Sequence, residues 1–274
     1  MRGLKIQARR LTQRCRRTGL RPAAERCYDR WADMAIKRDG RFLLWQDMPH
    51  TPGLGLESSQ LAECIEEIRK VPFKGVFGHP SFGFHDVTLD ALQAVPQTEA
   101  VWFWDVELRN IDALYSLTRL VYFGVHPKRP GIDFSRLPGL KRMVWFHKSS
   151  DSGVRSLHAL ESLHSWRYRD KSKTLTGLEL PEDLRELEIY WTNVETLEGL
   201  PRLPRLRRLE VHRSRNLRSL GNLGFVCPQL EHLVIDTCGK VEDGEGARVA
   251  RELAHLKHAY VKDRLVVKAS SAQM

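Results

Sequence analysis

The residues of this sequence that are capable of metal or acid–base chemistry are few, and their spacing does not form a catalytic group. His232 and His258 occupy the same place in two similar segments, LEHLVI and LKHAYV, so adjacent strands would bring them together. Zinc sites need more ligands than two histidines, and no Cys, Asp or Glu occupies that position in the adjacent repeat. No G-x-S-x-G, P-loop or H-E-x-x-H motif occurs. The sequence therefore predicts no catalytic residues, no metal ligands and no cofactor.

The positive charge of the chain is concentrated at its N-terminus. The formal net charge is +10, but residues 1–41 hold 13 Lys and Arg against 4 Asp and Glu, while the remaining residues hold 31 against 30. An Arg-rich amphipathic helix there could bind nucleic acid or an anionic membrane, with the rest of the chain as a scaffold. The alternative is a solvated or frayed extension. The nearly neutral body predicts no broad nucleic-acid footprint.

The compartment is predicted from cysteines and hydropathy. Five cysteines are scattered without a C-x-x-C pair, which is typical of reduced thiols. The sequence has no apolar run long enough for a membrane helix, and its N-terminus has no secretory signal. We expect a soluble, cytoplasmic protein.

The element that must position any binding residues is a repeat with the spacing L-x-x-L-x-I. LRELEI at Leu184 is followed by LRRLEV at Leu206 and LEHLVI at Leu230. We number each unit from its first apolar residue. Sliding this template along the chain gives units beginning at Phe73, Thr98, Leu117, Leu140, Leu163, Leu184, Leu206, Leu230 and Leu256. Apolar positions 4 and 6 have the period of a strand, and a return after about 22 residues fits one coil of a solenoid.

This pattern resembles the leucine-rich repeat family in a stand-alone, bacterial-type form. Thr192 and Cys238 stand at the position where the family has Asn or Cys, whose side chain bonds backbone groups inside the turn. The resemblance implies an α/β repeat solenoid, with a parallel β-sheet on the concave face and short helical or 3₁₀ segments on the convex face. It also implies a recognition role without enzymatic activity.

Four regions are predicted along the chain. Residues 1–38 form the basic extension, and residues 39–72 form an N-terminal cap whose amphipathic helix buries Leu61, Cys64, Ile65 and Ile68. Residues 73–267 form the array of about nine units, ending in a strand around Tyr260–Val267. Residues 268–274 form a polar tail.

The predicted binding face consists of positions 3, 5 and 7, which point outward on the concave sheet. Its first half is aromatic and its second half is charged, with Arg167 expected beside Glu188 and Glu186 beside Arg208. The predicted partner-binding residues are Phe77, Trp102, Trp104, Phe123, Phe146, Arg167, Arg169, Glu188, Tyr190, Trp191, Glu210 and His212. The partner is an unidentified protein, and the role is that of an adaptor, a toxin-neutralising protein or an effector. Alternatively, the N-terminal cap or its strap, in a segment that contains Trp31, Phe42, Leu43 and Trp45, folds over the aromatic patch and buries it.

Overall fold

The computed structural model describes residues 36–71, 73–126, 128–262 and 264–266. The Arg-rich segment of residues 1–35 and the predicted tail of residues 268–274 lie outside the described residues. Within the described part of the chain, no helix is long and apolar enough to cross a membrane.

The sheet runs through the described residues as thirteen strands that are hydrogen-bonded in chain order. The strands are β1 Ile36–Asp39, β2 Phe42–Trp45, β3 Gly53–Gly55, β4 Gly75–Gly78, β5 Ala100–Phe103, β6 Tyr122–Val125, β7 Arg142–Phe146, β8 Ser162–Trp166, β9 Glu186–Tyr190, β10 Arg208–His212, β11 His232–Asp236, β12 His258–Val261 and β13 Arg264–Val266. Every pair from β3 to β12 is parallel. One parallel strand per short coil is the arrangement of a leucine-rich repeat solenoid, and this prediction is confirmed.

Short helical segments return the chain behind the sheet. The 3₁₀ helices between parallel strands are Ser58–Gln60, Pro80–Phe82, Asp90–Ala94, Asp112–Ser116, Phe134–Arg136 and Val154–Ser156. The helix α2 (Leu223–Val226) and the helix α3 (Glu245–Glu252) occupy the same place in the last two coils; α1 lies at the other end and is described below. Leucines from strands and return segments together form one continuous buried core.

The predicted register is wrong in two units, each by three residues. The units of β6 and β8 begin at Leu120 and Leu160 rather than Leu117 and Leu163, because Tyr122 pairs with Arg142 and Ser162 pairs with Glu186. Phe123 therefore occupies position 4 and lies in the core, with 0% of its surface exposed.

Both errors have a physical reason in the sequence. Leu117 fits the template, but it follows the 3₁₀ helix Asp112–Ser116 and its amide donates to the Leu114 carbonyl. In the β8 unit, position 6 is Ser165, whose hydroxyl is fully buried with no hydrogen bond among the described residues. A serine at an aliphatic position hides the true register.

The ends of the sheet also differ from the prediction. The parallel array begins at β3, one coil before the predicted first unit. The sequence did not predict this coil, because its Gly-Leu-Gly strand lacks the leucine pattern. A Cβ atom on Gly53 would lie 2.3 Å from the Met48 sulfur, so a larger residue there would displace the buried Met48 side chain. The predicted boundary at residue 38 falls inside β1, which pairs antiparallel with β2. The predicted final strand is a hairpin of β12 and β13, with Lys262 in the turn.

The cap helix α1 (Leu61–Lys70) forms where the amphipathic pattern predicts it. It buries Cys64, Ile65 and Ile68 against the first coils. Its last turn carries Arg69 and Lys70, whose positive charge complements the helix C-terminus. The helix covers the apolar end of the core.

A left-handed residue follows the strand in five coils. Position 8 has a positive φ in each of these coils. This left-handed conformation costs a residue other than glycine roughly 1–2 kcal/mol. These residues are Asp105, Arg167, Trp191, Arg213 and Thr237, with φ between 52° and 57°. The turn points position 9 inward, where Tyr168, Thr192, Ser214 and Cys238 are buried.

The side chains of Thr192 and Cys238 bond the turn as the family resemblance implies. The Thr192 hydroxyl accepts from the Val194 amide at 3.3 Å. The Cys238 thiol donates to the Asp236 carbonyl at 3.3 Å.

Leu209 tests the core assignment, because it occupies position 4 of β10 and is 0% exposed. We expect Leu209→Ala to lower the free energy of unfolding by about 2–5 kcal/mol, through lost apolar burial and a residual cavity. Urea denaturation measures it. Leu265→Ala, at a side chain that is 59% exposed, is the matched control and should have little effect. Equal losses from the two variants would contradict the register.

Candidate protein-binding face

The first part of the predicted aromatic patch is covered by the N-terminal hairpin. The Trp45 ring lies edge-on to Phe77 with 5.8 Å between centroids and to Trp102 at 5.5 Å. Phe77 is 0% exposed and Trp102 is 4% exposed. The alternative that the cap packs on this patch is therefore correct for these two residues, which are internal to the fold.

A continuous row of rings occupies position 7 of six successive coils. We call it the ring ladder: Trp104, His126, Phe146, Trp166, Tyr190 and His212. Successive centroids are separated by 5.4, 5.2, 5.2, 5.1 and 4.8 Å. Parallel strands lie about 4.8 Å apart, so equivalent positions place rings at contact distance. Aromatic pairs of this kind contribute about 0.5–1.5 kcal/mol beyond their burial.

Members of the ring ladder differ in accessibility. Phe146 and Trp166 are 4% and 5% exposed, and Tyr190 is 2% exposed. Trp104 and His126 are half-buried, as is Trp191, whose ring centroid lies 5.0 Å from that of Trp166. The buried rings fix the orientation of the more accessible ones.

The ring ladder ends in a charged network around His212, which is 0% exposed. His212 Nε2 lies 2.8 Å from a Glu210 oxygen, and Nδ1 lies 3.5 Å from an Asp236 oxygen. Arg208 pairs with the other Glu210 oxygen. Two cations and two carboxylates therefore balance one another on the adjacent strands β10 and β11, which is required when charges are buried.

The network shifts the pKa values of its members. Burial alone lowers the pKa of His212, but the carboxylates of Asp236 and Glu210 outweigh it and the pKa is raised. Burial raises the pKa values of Glu210 and Asp236, but the hydrogen bonds and charge of His212 outweigh it and both are lowered. The two carboxylates therefore favour the protonated form of His212.

A second polar group lies at the start of the ring ladder. His79 Nε2 lies 3.5 Å from Asp105 and His126 Nε2 lies 3.8 Å from the same carboxylate. The Ser81 amide donates to His79 Nδ1, so Nε2 carries the proton that faces Asp105. Burial lowers the pKa values of both histidines. No group of three or more His, Cys, Asp or Glu residues in the described part of the chain has metal-binding geometry.

His232 and His258 lie side by side on β11 and β12, with ring centroids 6.1 Å apart. Their adjacency was predicted from the repeat.

The predicted partner-binding residues are thus divided among several environments. Phe123 belongs to the core, while Phe146, Tyr190, Glu210 and His212 are buried in the ring ladder and its charged network. Trp104 and Glu188 are half-buried on the outer face of the sheet, which is formed by positions 3, 5 and 7, and Trp191 is half-buried directly after β9 at the carboxyl edge. Arg167 and Arg169 are exposed, but they follow β8 at the carboxyl edge of the sheet instead of lying on it.

The charge pairs were predicted with mixed success. Glu186 and Arg208 are register neighbours as expected. Glu188 neighbours His164 rather than Arg167, with 3.6 Å between His164 Nε2 and Glu188. His126, His164 and Trp166 were missed because of the two register errors; beginning the β8 unit at Leu160 would have placed Trp166 in the ring ladder.

Comparisons with known proteins give only distant similarities. No protein-family model matches the sequence, and no curated protein matches it. Among solved structures, an internalin, InlF, from Listeria monocytogenes matches with a TM-score of 0.46 and 14% identity, over 75% of this chain and 64% of that chain. The functional domain of InlJ from Listeria monocytogenes matches with a TM-score of 0.42 and 12% identity, over 76% of this chain and 47% of that chain.

The matches span less than two thirds of either internalin chain. Because both TM-scores are below 0.5, the class of the fold rests on the strand register and coil length of this chain. That geometry is the leucine-rich repeat solenoid.

His212 gives the site a distinctive pH dependence. Because its folded-state pKa is raised above 6.5, its stabilising effect is complete below pH 6.5 and is lost as pH rises through the folded pKa. We expect the difference in unfolding free energy between the wild type and His212→Asn to shrink with rising pH, by at most about 1.4 kcal/mol per unit.

Urea denaturation of both proteins from neutral to alkaline pH measures this difference. His79, His126 and His147, whose pKa values are lowered by burial, are present in both proteins and cancel. A difference that is constant or grows with pH would contradict the network.

Proposed function

We propose that this protein is a non-enzymatic recognition module that binds a partner protein through the outer face of its parallel sheet. The contacts come from Trp104 of the ring ladder and Glu188 beside it, and from Trp191, Arg167 and Arg169 at the carboxyl edge of the sheet. Phe146, Tyr190, Glu210 and His212 hold this face rigid from beneath. The class of the partner is a protein, and its identity is left to experiment.

This proposal rests on one observation: the outer face carries packed aromatic rings and buried charges that the core does not need for its stability. Positions 4 and 6 of the strands, with the return segments, already supply the buried core. Positions 3, 5 and 7 nevertheless carry a six-ring ladder and a balanced set of buried charges. Trp, Tyr and Arg are the residues that contribute most to binding at protein interfaces.

A rigid face of this kind favours protein binding because little conformational entropy is lost when a partner docks. The aromatic side chains have few rotatable bonds and are fixed by their neighbours. An adaptor, a toxin-neutralising protein and an effector would all use such a face. A cytoplasmic location is part of the proposal, and the buried cysteines Cys64, Cys227 and Cys238, which form no disulfide in the described part of the chain, are compatible with it.

Trp104 and Trp191 provide the test of this function. The wild-type chain, immobilised, captures its partner from a lysate of the source organism, and the captured protein is purified for titration. We expect Trp104→Ala and Trp191→Ala each to weaken the affinity by about 2 kcal/mol, or roughly thirtyfold, because each removes an aromatic contact from the centre of the interface.

Phe225→Ala is the matched control, because Phe225 is 64% exposed on α2, in a return segment behind the sheet. The control should bind as the wild type does, and circular dichroism should show all three variants folded. A folded Trp104→Ala, Trp191→Ala double variant with wild-type affinity would refute the proposed face.

A further inference from the structure

Two histidines flank Trp104 on the outer face. His79, Trp104 and His126 occupy position 7 of the β4, β5 and β6 coils, which are adjacent in the sheet. Asp105 follows Trp104 directly, and its carboxylate lies 3.5 Å from His79 Nε2 and 3.8 Å from His126 Nε2. We call His79, Asp105 and His126 the His–Asp–His cluster. It surrounds a residue that makes a main contact in the proposed interface.

The Nδ1 atom of His79 already serves as a hydrogen-bond acceptor. The Ser81 amide donates to it at 3.0 Å, and this bond caps the 3₁₀ helix Pro80–Phe82. A protonated imidazole carries a hydrogen on both nitrogens and can no longer accept. Protonation of His79 therefore breaks the cap and sets two N–H groups against each other. The Phe82 ring, whose centroid lies 5.6 Å from that of His79, then loses its fixed neighbour.

The Nδ1 atom of His126 is buried and has no hydrogen-bond partner in the described part of the chain. A proton added there would place a charged N–H in a buried position without an acceptor, which is costly. The His126 ring lies between Trp104 and Phe146, with centroid distances of 5.4 and 5.2 Å, so it cannot reach water without leaving the ring ladder. Protonation therefore favours a His126 ring that has moved out of the ladder.

The charged groups that face His126 do not reverse this preference. Burial lowers the pKa of His126, and the attraction of Asp105 does not make up for it. The side chain of Asp105 is 61% exposed, so water screens its charge. Lys128, Arg129 and Arg167 also oppose a positive charge on the ring. His126 is therefore neutral at neutral pH.

The charged groups that face His79 come from the two neighbouring coils. Asp105 lies on the following coil, and burial lowers the pKa of His79 in spite of it. Glu57 occupies the equivalent position of the preceding coil, but it is paired with Arg38 at 2.7 Å. His79 is therefore neutral at neutral pH as well.

We propose that the His–Asp–His cluster makes partner binding sensitive to acid, so that the partner is held at neutral pH and released when His79 and His126 take up protons. In the neutral state, both imidazoles direct their Nε2 hydrogens towards Asp105 and fix the turn that follows Trp104. Protonation removes the cap at His79 and drives His126 out of the ladder, so Trp104 loses its fixed orientation. The inference rests on the proposed protein-binding function and adds its regulation.

The two ends of the ring ladder respond to pH in opposite directions. The stabilising effect of the His–Asp–His cluster is complete above pH 6.5 and is lost as pH falls from there through the folded-state pKa values. The stabilising effect of His212 is complete below pH 6.5 and is lost as pH rises through its raised pKa. The outer face is therefore best ordered near neutral pH.

NMR of the full chain with nitrogen-15-labelled histidine tests the cluster without a partner. We expect the rings of His79 and His126 to be neutral at neutral pH, to carry their hydrogen on Nε2, and to titrate below pH 6.5. The variants His79→Asn and His126→Phe identify the two sets of signals. A ring that is protonated at neutral pH, or that carries its hydrogen on Nδ1, would overturn the proposal.

Titration with the captured partner measures the effect on binding. We expect the affinity of the wild type to fall between about pH 7.5 and about pH 5.5, by up to roughly tenfold per pH unit for each histidine that titrates. His79→Asn should bind like the wild type at the higher pH and lose less affinity at the lower pH. Asparagine does not titrate, but its side-chain oxygen can still accept from the Ser81 amide.

His255→Asn is the matched control, because His255 is exposed near the other end of the array. It should lose as much affinity on acidification as the wild type does. His164 and His212 are present in every variant, so their titration cancels in the comparison.

Two binding results would overturn the acid release while leaving the proposed function intact: an affinity that is the same at both pH values, or equal acid losses in His79→Asn and the wild type. Failure of the proposed function gives a different result. If the tryptophan variants keep wild-type affinity at neutral pH, the partner does not use this face, and its acid release from the face fails as well.

Discussion

The structure depends on a single constraint, which is that each coil of about 22 residues must place one short strand beside the previous strand while burying positions 4 and 6. A single coil cannot bury these residues alone, so each coil is stabilised by its neighbours. The cap helix α1 and the hairpins β1–β2 and β12–β13 follow from the same constraint, because both ends of the stack need cover.

The regular arrangement of side chains on the outer face follows from this stacking. Because equivalent positions recur about every 4.8 Å, a ring at position 7 in successive coils becomes a packed row, and a charge at position 5 or 7 meets its counterpart on the next strand. The ring ladder and the His212 network are therefore consequences of strand register. Trp45 belongs to the covered end of this face, whereas Trp104 and Trp191 belong to the more accessible part.

Sequence alone predicted the repeat well where aliphatic residues mark it. Leu184, Leu206 and Leu230 begin coils whose strands lie in the expected register. It failed where another residue type took the same role: Ser165 stands at a core position, and Gly53–Gly55 forms a strand with few side chains. Leu117 shows the opposite problem, since it fits the template but follows a 3₁₀ helix.

The candidate face was predicted less fully, for a physical reason. Outward positions follow directly from register, so a shift of three residues placed Phe123 and Arg167 on the face and removed Trp166 from it. Burial by Trp45 and the left-handed turns at position 8 depend on tertiary packing, which a repeat template does not contain.

The most direct test of the central claim is hydroxyl-radical footprinting of the chain with and without its captured partner, because this method reports the solvent exposure of individual side chains. If the partner binds the outer face, Trp104 and Trp191 should lose reactivity in the complex, while the reactivity of Phe225 on α2 should be unchanged. Protection of Phe225 with unchanged Trp104 and Trp191 would contradict it, because the partner would then bind the return segments instead of the sheet.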